Sequence, residues 1–384
     1  MARRALIERV VRELASCERP SASGGERWAA EWLARELEAA GCRDVRVEEE
    51  RAHGGYWWPL GLLNAAAALA ARLGRVPAAL VGGLTAAAVY DDVGGGRLWF
   101  RRAALPHRPT WNVVAEAGQP DAARTVVFIA HHDAAHSGLV FHPALPRAGM
   151  TLFPEQHAKA NQSIPIIYGT FLGPLLVALW GLLGRRSLRA GGLFFSLGAA
   201  AAMTNIGASR VVPGANDNLS SVAVLVALAH ELAESPPDGI RVILLSTGSE
   251  EGFMEGMQAF GRRHFDRLDR ASTEFVCLEC VGSPHLCVVE AEGMLRMRPY
   301  TESSREALAR AGAAAGVELT RGLRTVAATD GLIALRAGYP TCTLGGIDET
   351  KFPANYHWES DTPDNLDWDS VEGALRTCQE YLRG

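Results

Sequence analysis

Apolar residues recur at helical spacing over residues 5–16 and 26–40, and Gly41 closes the second stretch as a C-cap. Val45–Glu49 then alternates as a strand does. Further along, Trp111–Glu116, Thr125–Ala130, Arg241–Ser246, Glu274–Val281 and Thr341–Leu344 read as strands. Leu219–Leu232, residues 302–315, Asp330–Ala337 and Ser370–Leu382 read as helices between and after them. The 241–246 run lacks alternation, as expected of a strand covered on both faces. Strands alternating with helices predict an α/β fold, a mixed, mostly parallel sheet flanked by helices.

Two segments break this pattern. No charged residue stands between His53 and Arg72, nor from Val76 to Tyr90, and the turn between the two runs is Arg72-Leu-Gly-Arg75. Residues 160–184 and 190–209 are likewise uncharged and are joined by Arg185, Arg186 and Arg189. These runs of 18, 15, 25 and 20 residues predict two apolar helical hairpins, at 56–96 and 159–206. They interrupt a catalytic domain made of residues 1–55, 97–158 and 207–384. The hairpins are expected to pack side by side as an inserted helical subdomain near the mouth of the active site. A membrane span needs about 20 apolar residues, so only the second hairpin has comfortable length. Arginine-rich turns fit a positive-inside pattern. Residues 56–90 and 164–206 are therefore expected to associate with a membrane. The alternative is a cytoplasmic protein with a helical lid or dimer surface.

Composition narrows the field of functions. The net charge is −5 with no long block of like charge, which argues against nucleic acid as a partner. Seven scattered cysteines suit reduced thiols better than a disulfide framework. The opening MARRALIERVVRELASCERP carries charges throughout and reads as an amphipathic helix, not a secretory signal.

The chemistry gathers at predicted strand ends. His131-His132-Asp133 follows an apolar strand; His131 and Asp133 share a face, so Asp133 can orient a metal-bound imidazole. Gly214-Ala-Asn-Asp217-Asn218 precedes a helix, where Asp217 is either an N-cap or a carboxylate at the sheet edge. Glu250 and Glu251 are adjacent after another strand and point in different directions. One can bind a metal while its neighbour takes a proton from water. Glu279 lies in an apolar run, where an ionised carboxylate is costly unless a cation pairs it. Cys277 and Cys280, three apart on a strand, read as core packing. His357 sits in a polar, aromatic loop before the last helix, as a solvent-facing residue or as a final ligand.

Taken together, these motifs resemble the M28 class of zinc peptidases, the aminopeptidase and glutamate-carboxypeptidase-like group. Ala130-His-His-Asp133 is similar to its A-H-x-D, and Gly214-Ala-Asn-Asp-Asn218 to its G-A-N-D-N. Ser249-Glu-Glu-Gly252 resembles its E-E pair, and Leu278-Glu-Cys-Val-Gly282 its L-D-x-V-G. Thr329-Asp330-Gly331 resembles its S-D-H, and Tyr356-His357 its Y-H. The likeness covers residues 5–50, 108–138 and 210–384. It implies a zinc aminopeptidase-like fold and a peptide or aminoacyl substrate. It also implies two Zn²⁺ ions bridged by Asp217, one completed by His131 and Glu279, the other by Glu251 and His357. Glu250 would be the general base that takes the water's proton to leave a hydroxide shared by the zincs, Tyr356 an oxyanion donor, and Asp133 and Asp330 supports behind the ligands.

Three departures stand out. Glu279 replaces the usual Asp, Gly331 replaces the usual His, and the stretch from His131 to Asp217 is long because it holds the second hairpin. The alternatives are a single-zinc acyltransferase of the glutaminyl-cyclase type and a membrane-associated, non-catalytic relative.

Overall fold

The apolar runs near 125–130 and 241–246 pair in parallel at the middle of a seven-stranded sheet in a computed structural model that describes residues 2–163 and 166–384. Its first half comprises α1 (Ala2–Ala15), α2 (Gly24–Ala39), β1 (Arg43–Ala52), α3 (Trp57–Leu73), α4 (Arg75–Val93), α5 (Trp99–Ala104), β2 (Arg108–Gly118), β3 (Arg124–His131), α6 (Ala144–Leu152), α7 (Pro154–Lys159), α8 (Tyr168–Leu183) and α9 (Arg186–Ala208). There follow α10 (Ser220–Glu234), β4 (Ile240–Thr247), α11 (Glu255–His264), β5 (Thr273–Glu279), β6 (His285–Val288), β7 (Ala291–Glu292), β8 (Arg298–Pro299), α12 (Glu302–Ala314), β9 (Arg324–Thr325), α13 (Gly331–Arg336), β10 (Thr341–Ile347) and α14 (Trp368–Arg383).

The main sheet has the order β1-β2-β4-β3-β5-β10-β6. Its central strands β4, β3, β5 and β10 pair parallel, while β2, β1 and β6 join antiparallel at the flanks. Alternation along β3 explains the two layers. Val126, Phe128 and Ala130 pack with α1, α2, α10, α12 and α14, whereas Val127 and Ile129 pack with α11 and α13. The fold is thus the α/β sheet expected from the sequence. Short pieces such as α5 to α7, α11 and β6 to β9 carry too few periodic residues to be read from sequence.

Helices α3, α4, α8 and α9 form a second body packed in a closed square, with α3 and α8 also touching across its diagonal. Close approach depends on glycine: a Cβ at Gly82 would lie 2.7 Å from the Ala178 backbone, and one at Gly173 would lie 2.6 Å from that of Ser196. The two arginine turns meet at the far end, where Arg75 donates to the carbonyls of Gly181 and Leu182 and Arg189 to that of Ala71. At the near end Tyr56, Leu60, Val89, Met203, Ile206 and Phe253 form one apolar cluster. Buried Arg101 ties this end to the sheet, pairing with Asp92 and donating to the Gly252 carbonyl at 2.8 Å.

Helix lengths depart from the uncharged runs. The 160–184 run supplies only the 16 residues of α8, because Gln162 is occupied in a bridge with Arg324. Ile164 and Pro165, within the expected second hairpin, lie outside the described residues. The two helices of spanning length are α4, with 19 residues, and α9, with 23, one from each hairpin. Length therefore does not single out the second hairpin.

Candidate metal centre

The carboxyl ends of the parallel strands converge on one acidic cleft. His131 ends β3, Glu279 ends β5, and Glu250 and Glu251 follow β4. Asp217 enters from the segment before α10, and His357 from the loop after β10. Open α/β sheets bind ligands at this edge. Asp217 does not cap α10: its backbone is non-helical, with φ −108° and ψ 88°, and its carboxylate turns into the cleft.

Asp217 occupies the centre. Its Oδ1 lies 3.2 Å from His131 Nε2, and its Oδ2 lies 3.2 Å from His357 Nε2. Glu279 Oε1 stands 3.7 Å from the His131 nitrogen, and Glu251 Oε1 stands 3.2 Å from the His357 nitrogen. Glu250 Oε2 is 3.9 Å from His131 Nε2. Ligand-type atoms of His131, Asp217 and Glu251 all lie within 4.8 Å of one another, as do those of Asp217, Glu279 and Cys280. Cys277 is core packing as read from sequence, but Cys280 is not only that. With φ at +53° it turns its thiol to 3.2 Å from Glu279 Oε1. Tyr356 stacks on His357 with ring centroids 3.9 Å apart.

A second layer fixes these groups. Asp133 accepts the backbone amides of Glu250 and Glu251, each at 3.1 Å, and the Ser21 hydroxyl at 2.6 Å, while facing His131 Nδ1 at 3.3 Å. Asp361 accepts the amides of Asn216 and Asp217 at 2.6 and 3.2 Å. Glu26 accepts the amide and hydroxyl of Ser249, at 3.2 and 3.1 Å. Asp330 is buried and accepts the Thr247 hydroxyl, next to His131 in register across β3 and β4. Arg19, wholly buried, donates to the carbonyls of His132, Pro213 and Gly214 at 2.8, 2.7 and 2.9 Å. The sequence alone assigns Arg19, Ser21, Glu26 and Asp361 no role in the cleft. The cleft partners of Arg19, Ser21 and Asp361 lie more than a hundred residues away, and Glu26 stands in a local Ser23-Gly-Gly-Glu26 helix-start pattern that accounts for it without the cleft.

The electrostatics reflect crowding. Burial pushes the Glu250 carboxyl well above its ordinary range, and Asp330, Glu251 and Glu279 add to the effect. Burial also raises Glu251 and Glu279, with Asp217 adding to each. Asp217 goes the other way: burial disfavours its charge, but His131 and His357 outweigh that. Burial disfavours charging His357, yet Glu251 and Asp217 push it up to about 10. This is a site short of positive charge.

A zinc ion fits that deficit. Glu251 Oε1 is buried without a hydrogen-bond partner and faces the His357 Nε2 edge of the cluster. His131 Nε2 and His357 Nε2 both face carboxylate oxygens, and imidazole nitrogen with carboxylate oxygen is a donor set that suits Zn²⁺. Asp133 against His131 Nδ1 leaves Nε2 directed at the cluster, the usual support behind a liganding histidine.

Comparison with known proteins bears on the family and the fold. Residues 201–382 match the model of peptidase family M28. No curated protein matches the chain in sequence. Among solved structures, the glutaminyl cyclase of Bacteroides thetaiotaomicron bound to N-acetylhistamine superposes with a TM-score of 0.59 at 14% identity, covering 99% of this chain and 97% of that one. A Zn-dependent exopeptidase from Parabacteroides distasonis gives 0.58 at 14% identity, covering 100% and 97%. A leucine aminopeptidase precursor from Bacteroides thetaiotaomicron gives 0.55 at 14% identity, covering 99% and 97%. Residues 201–382 thus match peptidase family M28, and the chain as a whole has a zinc aminopeptidase-like fold.

Proposed function

We propose that the protein is a zinc-dependent hydrolase of peptide or amide bonds, of the aminopeptidase type, with two metal positions that share Asp217. The observation that carries this reading is Asp217 set between His131 and His357, with Glu279 beside the first and Glu251 beside the second. Zinc bound there would supply Lewis acidity toward a scissile carbonyl and acidify water. Glu250, next to the ligand Glu251 yet directed elsewhere, takes the proton of the attacking water and returns it to the leaving amine. Tyr356, held by its stack on His357, is the donor for the developing oxyanion.

The four-helix body supports a membrane-bound setting. At 1.5 Å per residue, α4 and α9 are about 28 and 34 Å long, against a hydrocarbon thickness of about 30 Å. Leu69, Leu80, Leu84, Leu182 and Phe194 project from its surface, and its arginines gather at one end. Glycines at the helix crossings are the packing habit of helices in lipid.

The test is a pair of substitutions in zinc-loaded protein assayed on aminoacyl and N-blocked peptides. Glu250→Gln should lower turnover about 10²–10⁴-fold with zinc retained, and Glu251→Gln should lose metal as well. Wild-type rates from Glu250→Gln would remove the base assignment. Loss of ammonia from an N-terminal glutamine without shortening of the peptide would instead indicate cyclase chemistry.

A further inference from the structure

A cavity of about 410 Å³ opens over the carboxylates, and it belongs to both bodies of the molecule. Asp217, Glu250, Glu251 and Glu279 line it on the sheet side. On the other side runs one stripe of α9, in which Phe194, Gly198, Ala202, Met203 and Ile206 recur at helical spacing. Twelve residues of helix separate Phe194 from Ile206, about 18 Å of wall. Ile206 and Met203 are buried near the acidic end, whereas Phe194 is 73% exposed on the surface of the four-helix body. The wall therefore leads from the catalytic acids to the apolar exterior.

The charges along this cavity are as informative as its apolar wall. Lys351 is the one lysine or arginine among the described lining residues. Its ammonium is already committed to the carbonyls of His157 and Ala160, both at 2.6 Å. Among the described lining residues no other lysine or arginine is placed to pair a carboxylate on the leaving side. The cavity is thus unsuited to short peptides, whose terminal carboxylate would fall within it, and suited to an uncharged chain.

We infer that the substrate carries an extended apolar chain on the leaving-amine side of the scissile bond, laid along α9 with its far end at Phe194. Its class is an aminoacyl amide or peptide with a long alkyl or continuous apolar tail. This rests on the hydrolase reading above. With the N-terminal residue at the acids, the rest of the substrate must leave by the open path, and that path is the α9 stripe.

The experiment is a chain-length series of leucyl-alkylamides, ethyl to dodecyl, with zinc-loaded full-length protein in lipid nanodiscs. kcat/KM should rise by up to about 4-fold per methylene as the chain extends along the wall. Gly198→Leu separates the cavity from simple partition into lipid. A Cβ there meets nothing within 4 Å, so the helix accepts it, while the longer side chain narrows the path. The dodecyl-to-ethyl ratio should collapse in this variant. A flat series in wild type, or a ratio that Gly198→Leu leaves unchanged, overturns the inference even while leucyl-ethylamide is cleaved. Calorimetric binding of the same series to Glu250→Gln reads the tail without turnover. Dodecyl amide binding at least 30-fold tighter than ethyl, with no cleavage by wild type, would keep the apolar-tail site and discard the hydrolase.

Discussion

Asp133 Oδ1 accepts the backbone amide of Glu250 at 3.1 Å. The same carboxylate holds Glu251 by its amide and faces His131 through Nδ1, so one residue sets the base, one proposed ligand of each metal position and the distance between them. Asp361 does the same for Asp217 from the opposite side. The cluster is positioned by backbone hydrogen bonds to buried carboxylates, leaving its own side chains free.

Asp133→Asn should keep the volume and lose an acceptor. One oxygen becomes an NH₂ group facing a backbone N–H, which leaves a buried donor unpaired at a cost of about 1–3 kcal/mol. Differential scanning calorimetry should show the loss, and metal analysis should show reduced zinc. Unchanged stability and full zinc would mean that Asp133 is not the positioning group.

Removing the Arg19 guanidinium should be costlier. It joins the segment after α1 to the backbones of His132 and Gly214, and it is the buried countercharge near Asp361 and Asp133. Arg19→Met should lower stability by about 3–5 kcal/mol in chemical denaturation. A loss under about 1 kcal/mol would show that water replaces the guanidinium without strain.

Zinc binding should tighten as pH rises from 6 to 9. Zinc takes neutral imidazole, and His357 in the metal-free protein holds its proton up to about 10. Protons must therefore leave on binding throughout that range, which calorimetry in buffers of different ionisation enthalpy will count. The same shift makes His357 stabilise the metal-free fold below its unfolded pKa of about 6.5, and that contribution fades as pH rises through about 10. Zinc affinity independent of pH would contradict the arrangement of Glu251 and Asp217 around His357.

Full-length protein expressed in cells should sediment with membranes and stay there through an alkaline carbonate wash. The long apolar helices α4 and α9 predict this. Monodisperse, active protein in the detergent-free soluble fraction would leave the four helices as a lid.

Much of this molecule is legible in its sequence, for reasons that differ by element. β3 and β4 show as apolar runs because both faces are covered, and the candidate site shows because strand ends carry motif residues in a fixed order. Where the sequence misleads, tertiary context decides. The 160–184 run carries no charge, yet its first residues pair with β9 and leave α8 short. Cys280 reads as core on strand geometry, but the chain leaves the strand at Glu279 and swings its thiol into the cleft. Arg19 is invisible because a charged residue in a helix-rich segment ordinarily faces water, and Glu26 because its Ser23-Gly-Gly-Glu26 pattern already explains it as a helix start.

The position of β3 limits how this enzyme can be divided. β3 lies between β4 and β5, which do not pair with each other, and it brings His131 to the cleft. The family-matched stretch 201–382 holds β4 and β5 but not the strand between them. Excised alone, it would have a gap one strand wide at the middle of its sheet, with unpaired backbone on both sides. The two halves of the polypeptide are interleaved, so the C-terminal half cannot close its sheet alone, whereas α3–α4 and α8–α9 each leave and re-enter between strands and interrupt none of them.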